Sequence, residues 1–289
     1  MLSAASRPRI DTHDERGLVN GPLAILGGGK MAESLLSGLL RSGWRTPQEV
    51  IVTVRRQERA AELQTAYGVV ATFDNAQAVR DCEIALIAVK PQDMDALLTQ
   101  IMPAATPDHL LISVAAGITT GSIERRLPEG IPVVRAMSNV PAVVDEAMTA
   151  VSAGACATEK HLAVAEEIWA HVGRVVRLAE KHLDAVTATS GSGPAYFALL
   201  AEAMIDACIL LGLSRDVATE LIVQTMFGSA KMLREQKMHP VELREMVTSP
   251  GGTTINAVRE LENAGVRAAF LNAIHAACRR ATELASGHE

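Results

Sequence analysis

The chain has 289 residues, of which 48% are hydrophobic and 21% are charged, the composition of an ordinary globular protein. Aromatic residues make up only 3%, so the core must consist mainly of aliphatic side chains and Met. The formal net charge of −6 argues against binding to nucleic acid, because phosphate contacts favour a basic surface.

Cysteine spacing and the N-terminal segment indicate the cellular setting. The four cysteines are widely spaced and none forms a CxxC pair, so we expect thiols in a reducing, cytoplasmic compartment and no metal site. Residues 1–20 lack the apolar run of a secretory signal and are expected to form a disordered tail. Glu202 and Asp206 interrupt the longest apolar stretch, which argues against a membrane span.

In chain order, the first half alternates short β-branched runs with helical patterns. Strands are predicted at residues 23–27, 50–54, 69–72, 83–89, 109–115 and 131–134, with helices over 31–42 and 58–67. This alternation is typical of crossover units, and it predicts a parallel sheet with helices on both faces.

From about Ala179 the strand patterns stop and long helical patterns rich in Ala, Leu and Met begin. A helix is predicted from Pro194 to Leu211, ended by Gly212, and Ser214 is suited to cap the next one. Because the helix predicted from Pro194 to Leu211 is apolar nearly all round, we expect it to be buried. A helical half of this size can bury it most simply against a second copy, which favours a homo-oligomer.

A glycine loop joins the first strand to the first helix, in the pattern Gly27-x-Gly29-x-x-Ala32. The first glycine permits a tight turn, the second lets backbone approach a pyrophosphate, and the small third residue lets helix and strand pack closely. The helix N-terminus then offers N–H groups to phosphate. The alternative is a glycine-rich turn without a ligand.

The second predicted strand is followed by Arg55 and Arg56, where an NAD-specific site usually has an acid for the ribose 2′-hydroxyl. A guanidinium suits a 2′-phosphate, so NADPH is favoured, with NADH as a weaker possibility. Alternatively, both arginines only begin a solvated helix.

Four blocks together resemble the pyrroline-5-carboxylate reductase family. They are the glycine loop, the AVKPQ strand end at 88–92, RAMSNVP at 135–141, and a C-terminal pair, SGSGPAY at 190–196 with SPGGTT at 249–254. The resemblance runs from about Leu23 to Leu284, and the C-terminal pair is its most specific part. Two positions depart from the family pattern: Ser138 replaces a usual Pro, and Val140 replaces a usual Thr.

The resemblance implies an α/β Rossmann-type domain at 21–178 followed by an all-α dimerisation and substrate-binding domain at 179–289. It implies hydride transfer from NADPH to the imine carbon of 1-pyrroline-5-carboxylate, yielding L-proline, in a homodimer that can extend to a decameric ring. It also implies an active site between the Rossmann domain of one subunit and helical segments that the dimer brings together. The implied cofactor contacts, with the two arginines argued above, are Leu26, Gly27, Gly28, Gly29, Lys30, Met31, Arg55, Arg56, Asn75, Ala88, Val89, Lys90, Pro91, Val114, Ala115 and Ala116. The implied substrate contacts are Glu180, Ser249, Gly252, Thr253 and Thr254.

The chemistry of a small imino acid suits the SPGGTT turn. Loop glycines and N–H groups at a helix start can bind a carboxylate without a Lys or Arg, although a plain helix cap would show the same residues. Thr254 is the candidate catalytic residue: its hydroxyl would orient and polarise the imine nitrogen, with the proton coming from water. Lys90 either contacts the cofactor or simply ends a strand.

Three other functions remain open at this stage. One is a related imine reductase acting on a different cyclic imine, and another is an NADPH-binding regulator without turnover. The third is a relative of the β-hydroxyacid dehydrogenases, which share the two-domain layout but need a catalytic lysine in the helical half. Lys231 is the nearest match for that lysine, but it has no supporting motif.

Overall fold

The structure, a computed structural model, describes residues 21–286. The expected tail at 1–20 lies outside the described residues. Within 21–286 the chain forms one eight-stranded sheet. Its strands are β1 Leu23–Leu26, β2 Val50–Thr53, β3 Val70–Thr72, β4 Ile84–Ile87, β5 Leu110–Ser113, β6 Val133–Met137, β7 Ala147–Ala153 and β8 Gly173–Arg177.

The same described residues contain twelve α-helices. They are α1 Lys30–Arg41, α2 Gln57–Tyr67, α3 Asn75–Arg80, α4 Met94–Ile101, α5 Thr120–Glu124, α6 Glu159–Ala170, α7 Leu183–Val186, α8 Gly193–Leu210, α9 Arg215–Glu235, α10 Pro240–Met246, α11 Thr253–Asn263 and α12 Val266–Ser286. The predicted strands and helices are confirmed, with shifts of a few residues at their ends.

The strand order is β3-β2-β1-β4-β5-β6-β7-β8. The chain adds β2 and β3 on one side of β1 and then continues with β4 on the other side, as in Rossmann folds. Alternate residues of β1 explain why both faces must be covered. Leu23 and Ile25 pack into the core cluster that includes α1, α2 and α6, while Ala24 and Leu26 pack into the cluster that includes α3 and α4. A strand buried on both faces is a continuous apolar run, which is why β1 was recognisable.

The six predicted strands pair in parallel, as expected, and the sheet continues with two strands that were not predicted, the first of which reverses direction. β7 pairs antiparallel with β6, whereas all the other pairs are parallel. The link between β6 and β7 holds only a short 3₁₀ helix, Val140–Val144. Such a link is too short for the crossover that a parallel neighbour requires, so the chain turns back on itself.

The described chain divides into two compact units, residues 21–191 with 281–286, and residues 192–280. Segment 179–191 groups with the sheet because Leu183 and Ala188 are completely buried. The domain boundary predicted from the sequence, between residues 178 and 179, marks the point where strand patterns give way to helical ones. It stays a prediction.

Within the second unit, α8 and α9 pack together, but most of their side chains are exposed in the single chain. Gly193 is the only buried residue of α8, and Phe197, Leu199 and Leu210 are 62%, 67% and 88% exposed. Among the described residues, one helical stretch, Glu180–Leu210, is long and apolar enough to span a bilayer by length and composition alone. The single chain therefore does not bury α8 on all sides, as the sequence led us to expect.

Capping predictions in this unit hold. Gly212 has φ of +93° after the end of α8, and the Ser214 hydroxyl accepts the Val217 N–H at the start of α9, at 3.4 Å. The left-handed conformation suits glycine and terminates the helix.

A half-buried histidine makes the stability of the sheet unit sensitive to pH. His171, at the end of α6, lies 5.9 Å from the Trp44 ring, and burial lowers its pKa against the opposing charge of Glu167. The folded chain therefore resists protonation that the unfolded chain accepts below about pH 6.5. We expect acidification from pH 7.5 to 5.5 to lower the urea midpoint of the native chain more than that of His171→Gln. Equal losses in both proteins would contradict this assignment.

Candidate active site

The glycine loop adopts a conformation that requires its first glycine. Gly27 has φ of +104°, and a Cβ there would lie 2.9 Å from Val89 Cγ1 and 3.1 Å from the Ala88 carbonyl oxygen. The Gly27 N–H donates to the Thr53 hydroxyl at 3.0 Å, which ties the loop to the end of β2. A side chain at position 27 would be strained and would also push against β4's C-terminal extension.

Gly29 is the N-cap of the twelve-residue helix α1, and its environment differs from that of Gly27. A Cβ added at Gly29 would meet no atom within 4 Å, so the space above it is open. The helix start carries a partial positive charge and N–H groups that have no partner within the helix. Bare backbone beside open space at a helix N-terminus fits the pyrophosphate of a dinucleotide.

A cleft of about 480 Å³ opens beside this loop, and we call it the cofactor cleft. It brings together nine of the predicted cofactor contacts: Gly27, Gly28, Gly29, Arg55, Arg56, Asn75, Ala88, Val89 and Lys90. It does not include Leu26, which is completely buried in β1, nor Lys30, Met31, Pro91, Val114, Ala115 and Ala116. The cofactor roles of all these residues stay predictions.

Several residues of the cleft were missed in the sequence: Thr53, Val54, Arg59, Phe73, Asp93, Ala96, Leu97 and Gln100. They come from the ends of β2 and β3, from α2, from the 3₁₀ turn before α4 and from α4 itself. Thr53 was detectable in principle, since it is the last residue of β2 and therefore at the carboxyl edge of the sheet. The α4 residues carry no motif and enter the cleft only because β4 lies next to β1.

Charge in the cofactor cleft is predominantly positive. Arg55 is 81% exposed and its guanidinium lies 3.1 Å from the Asp93 carboxylate. Arg56 is also exposed, and Lys90 lies at the β4 end of the same cleft. The Asn75 amide donates to Gln100 at 2.6 Å, while its buried carbonyl oxygen has no partner among the described residues. The lining therefore offers cations and a polar amide to a phosphorylated ribose.

Arg59 is held more firmly than its neighbours. Its side chain is 19% exposed, and it donates to the Gly28 carbonyl at 3.0 Å and to Glu33 and Glu62 at 2.5 and 2.9 Å. The pKa of Arg59 is raised by the hydrogen bond to Glu62 and then by that to Glu33, and the bond from Arg59 lowers the pKa of Glu33. This arginine was not recognised because its partners lie on three different segments.

The Ser249–Thr254 turn, in the second unit, leads into α11. Gly252 is the N-cap of this eleven-residue helix and Gly251 has φ of +69°. No side chain caps the helix, and within the described part of the chain the hydroxyls of Ser249, Thr253 and Thr254 make no hydrogen bond. Because a glycine N-cap has no side chain, the turn leaves the first N–H groups of α11 without a side-chain acceptor, as both a plain glycine cap and an anion site would.

Glu180, predicted to contact substrate, already has partners in the chain. Its carboxylate accepts from the N–H and hydroxyl of Thr120, both at 2.8 Å, and from buried Arg135 at 3.3 Å. Asn139 links Ser190 to Met148. Arg135 and Asn139 thus connect the end of β6 to residues 180–190. A substrate role for Glu180 stays a prediction.

Two other sequence features have ordinary surroundings. Lys231 is half exposed and lies 3.8 Å from Glu235 one turn along α9, as a surface ion pair would. No group of three His, Cys, Asp or Glu side chains within residues 21–286 is arranged to hold a metal ion. The surface pairing of Lys231 gives no support to its assignment as a catalytic lysine.

A Rossmann-type sheet whose first helix N-terminus opens into an arginine-lined cleft defines a nicotinamide-dinucleotide oxidoreductase. Residues 22–117 match a family described as NADP oxidoreductase, coenzyme F420-dependent, and residues 180–284 match one described as pyrroline-5-carboxylate reductase dimerisation. The chain belongs to the pyrroline-5-carboxylate reductase family.

Individual relatives agree over nearly the whole chain. A pyrroline-5-carboxylate reductase from Methanosarcina acetivorans is 42% identical over 92% of this chain and 98% of its own. A solved structure of a pyrroline-5-carboxylate reductase from Coxiella burnetii has a TM-score of 0.86 and 35% identity, covering 92% of this chain and 99% of its own. A pyrroline carboxylate reductase structure from Plasmodium falciparum, with NADP bound, has a TM-score of 0.82 and 27% identity, covering 92% and 98%.

Proposed function

We propose that the chain reduces 1-pyrroline-5-carboxylate to L-proline with NADPH as the reductant, the last step of proline biosynthesis. The observation that carries this proposal is the 42% identity to a pyrroline-5-carboxylate reductase across 92% of the chain. The match covers both the dinucleotide half and the helical half. The regions proposed to bind the cofactor and the substrate therefore both have counterparts in the relative.

The cofactor cleft has the residues to hold NADPH. The glycine loop and the start of α1 would bind the pyrophosphate, and Arg55 and Arg56 would bind the 2′-phosphate. Asn75 and Lys90 also line this cleft and would contact the cofactor there. When bound, the reduced nicotinamide supplies the hydride for the imine carbon.

The Ser249–Thr254 turn would bind the carboxylate of the substrate through backbone N–H groups and its three hydroxyls. Reduction adds a hydride to the imine carbon and a proton to the nitrogen. The Thr254 hydroxyl would donate a hydrogen bond to that nitrogen, with the proton coming from water, because a threonine hydroxyl does not titrate near neutrality. Fixing the ring orientation would then contribute most to the rate.

The exposed apolar surface of α8 and α9 favours a homo-oligomer, and the match to the dimerisation family supports the same assembly. We infer a homodimer through this surface, extended to a decameric ring. Covering Glu180–Leu210 with a second copy accounts for its hydropathy without a bilayer, and the acidic net charge disfavours nucleic acid. The proposed location is the cytoplasm.

The test of this proposal is an initial-rate assay at the nicotinamide absorbance. We expect NADPH oxidation with 1-pyrroline-5-carboxylate, a slower rate with NADH, and a much slower rate with the six-membered cyclic imino acid. A preference for the larger ring would favour a related imine reductase. NADPH binding without turnover of either ring would favour a regulator.

Arg55→Ala combined with Arg56→Ala should raise the KM for NADPH about tenfold or more and leave that for NADH within about twofold, because only NADPH carries the 2′-phosphate. The measurement is the ratio of kcat/KM for the two cofactors. Arg80→Ala serves as the control, since Arg80 is exposed on α3 and, within residues 21–286, pairs only with Gln77. An unchanged cofactor ratio in the double variant would remove these arginines from the phosphate site.

A further inference from the structure

The contacts of Arg59 suggest a role that differs from that of the other arginines of the cofactor cleft. Its guanidinium meets three acceptors at once: the Gly28 carbonyl through Nε, Glu33 through Nη2 and Glu62 through Nη1. Glu33 is further fixed by the Tyr67 hydroxyl at 3.1 Å. The guanidinium therefore joins α2 to the glycine loop and to the first turn of α1.

The hydrogen bond to Gly28 determines which way a loop peptide faces. A trans peptide is planar, and its C=O and N–H point in opposite directions. The described chain contains no cis peptide bond. Holding the Gly28 oxygen toward α2 therefore directs the Gly29 N–H away from α2. This is the N–H at the start of α1, beside the open space above Gly29.

The charge of Arg59 is already balanced by its two carboxylates, in contrast to exposed Arg56. Its raised pKa reflects the same bonds, first to Glu62 and then to Glu33. With three of its five N–H donors engaged and its charge balanced, Arg59 is less suited than exposed Arg56 to bind a phosphate. A lysine could not reproduce this fork of donors.

We propose that Arg59 is a positioning residue that orients the Gly28–Gly29 peptide for the pyrophosphate, and so sets dinucleotide affinity without reading the 2′-phosphate. The inference rests on the proposed binding of NADPH to this cleft. Since NADPH and NADH share the pyrophosphate, loss of Arg59 should weaken both equally. This pattern is the opposite of that expected for Arg55 and Arg56.

The test is direct binding of NADPH and NADH to the full chain, measured by nicotinamide fluorescence. Arg59→Ala should raise both dissociation constants about tenfold and leave their ratio unchanged, with kcat at saturating cofactor nearly preserved. Arg59→Lys should be close to Arg59→Ala, because one ammonium cannot meet three acceptors. Glu58→Gln, at an exposed position of the same helix whose carboxylate makes no hydrogen bond or ion pair with Arg59 among the described residues, is the matched control and should bind like the native chain.

Folding is checked by circular dichroism, and if Arg59→Ala fails to fold, Arg59→Lys is interpreted in the same way. A folded variant with native dissociation constants would overturn the proposal and leave Arg59 a structural ion pair. A selective loss of NADPH would also overturn it, because Arg59 would then contact the 2′-phosphate. Because binding needs no turnover, a chain that binds both cofactors but reduces no imine refutes the proposed reaction while the Arg59 test still stands.

Discussion

Thr254→Ala is expected to lower kcat for 1-pyrroline-5-carboxylate about a hundredfold, with the KM for NADPH within about twofold of the native value. Thr254 is half-buried in the first turn of α11, and its hydroxyl makes no hydrogen bond within the described residues. Removing a donor that acts on the imine nitrogen affects the reduction step, whereas NADPH is assigned to the cleft of the other unit.

Two threonine variants make this prediction specific. Thr254→Ser keeps the hydroxyl and should retain most of the activity. Thr248→Ala removes a neighbouring hydroxyl that is bonded to the Arg244 carbonyl at 2.6 Å and should behave like the native protein. If Thr254→Ala showed native kcat and KM, the hydroxyl would have no part in the reaction.

Phe197→Asp is expected to raise the dissociation constant of the homodimer more than about a hundredfold, because an unpaired carboxylate would be buried at the interface. Phe197 is 62% exposed in the single chain, so the substitution leaves the packing within that chain nearly unchanged. Activity should fall with the dimer, since the family resemblance implies an active site completed by the helical segments of two subunits. Sedimentation velocity combined with the NADPH assay measures both effects.

A suitable comparison for Phe197→Asp is Val70→Asp. Val70 is 48% exposed on β3, the edge strand of the sheet unit, and should tolerate a charge without any change in assembly. A Phe197→Asp protein that sediments as the native oligomer would show that this face of α8 is not the interface.

Sequence patterns predicted those elements whose local chemistry is distinctive. β1 and β4 are continuous aliphatic runs, because strands covered on both faces have few polar positions. By contrast, β7 reads AMTAVSA and consists largely of small and polar residues, so no hydrophobic run marked it. Its antiparallel direction follows from the short link after β6, which is a property of the connection rather than of the strand.

The candidate site shows the same division. The glycine loop was found because a tight turn and a close approach leave a pattern of three small residues. Arg59 and Asp93 were missed because their roles depend on partners far away in the chain, Gly28 and Arg55. The SPGGTT turn was assigned mainly by resemblance, since a helix start with glycines has the same sequence with or without an anion.

Transfer of deuterium tests the central claim most directly. The chain would be supplied with 1-pyrroline-5-carboxylate and NADPH deuterated at both positions of nicotinamide C4, and the proline formed would be examined by NMR and mass spectrometry. The account predicts L-proline carrying one deuterium, located at C5, in equal amount to the NADPH consumed. Proline without the label, or NADPH consumed without proline, would contradict it.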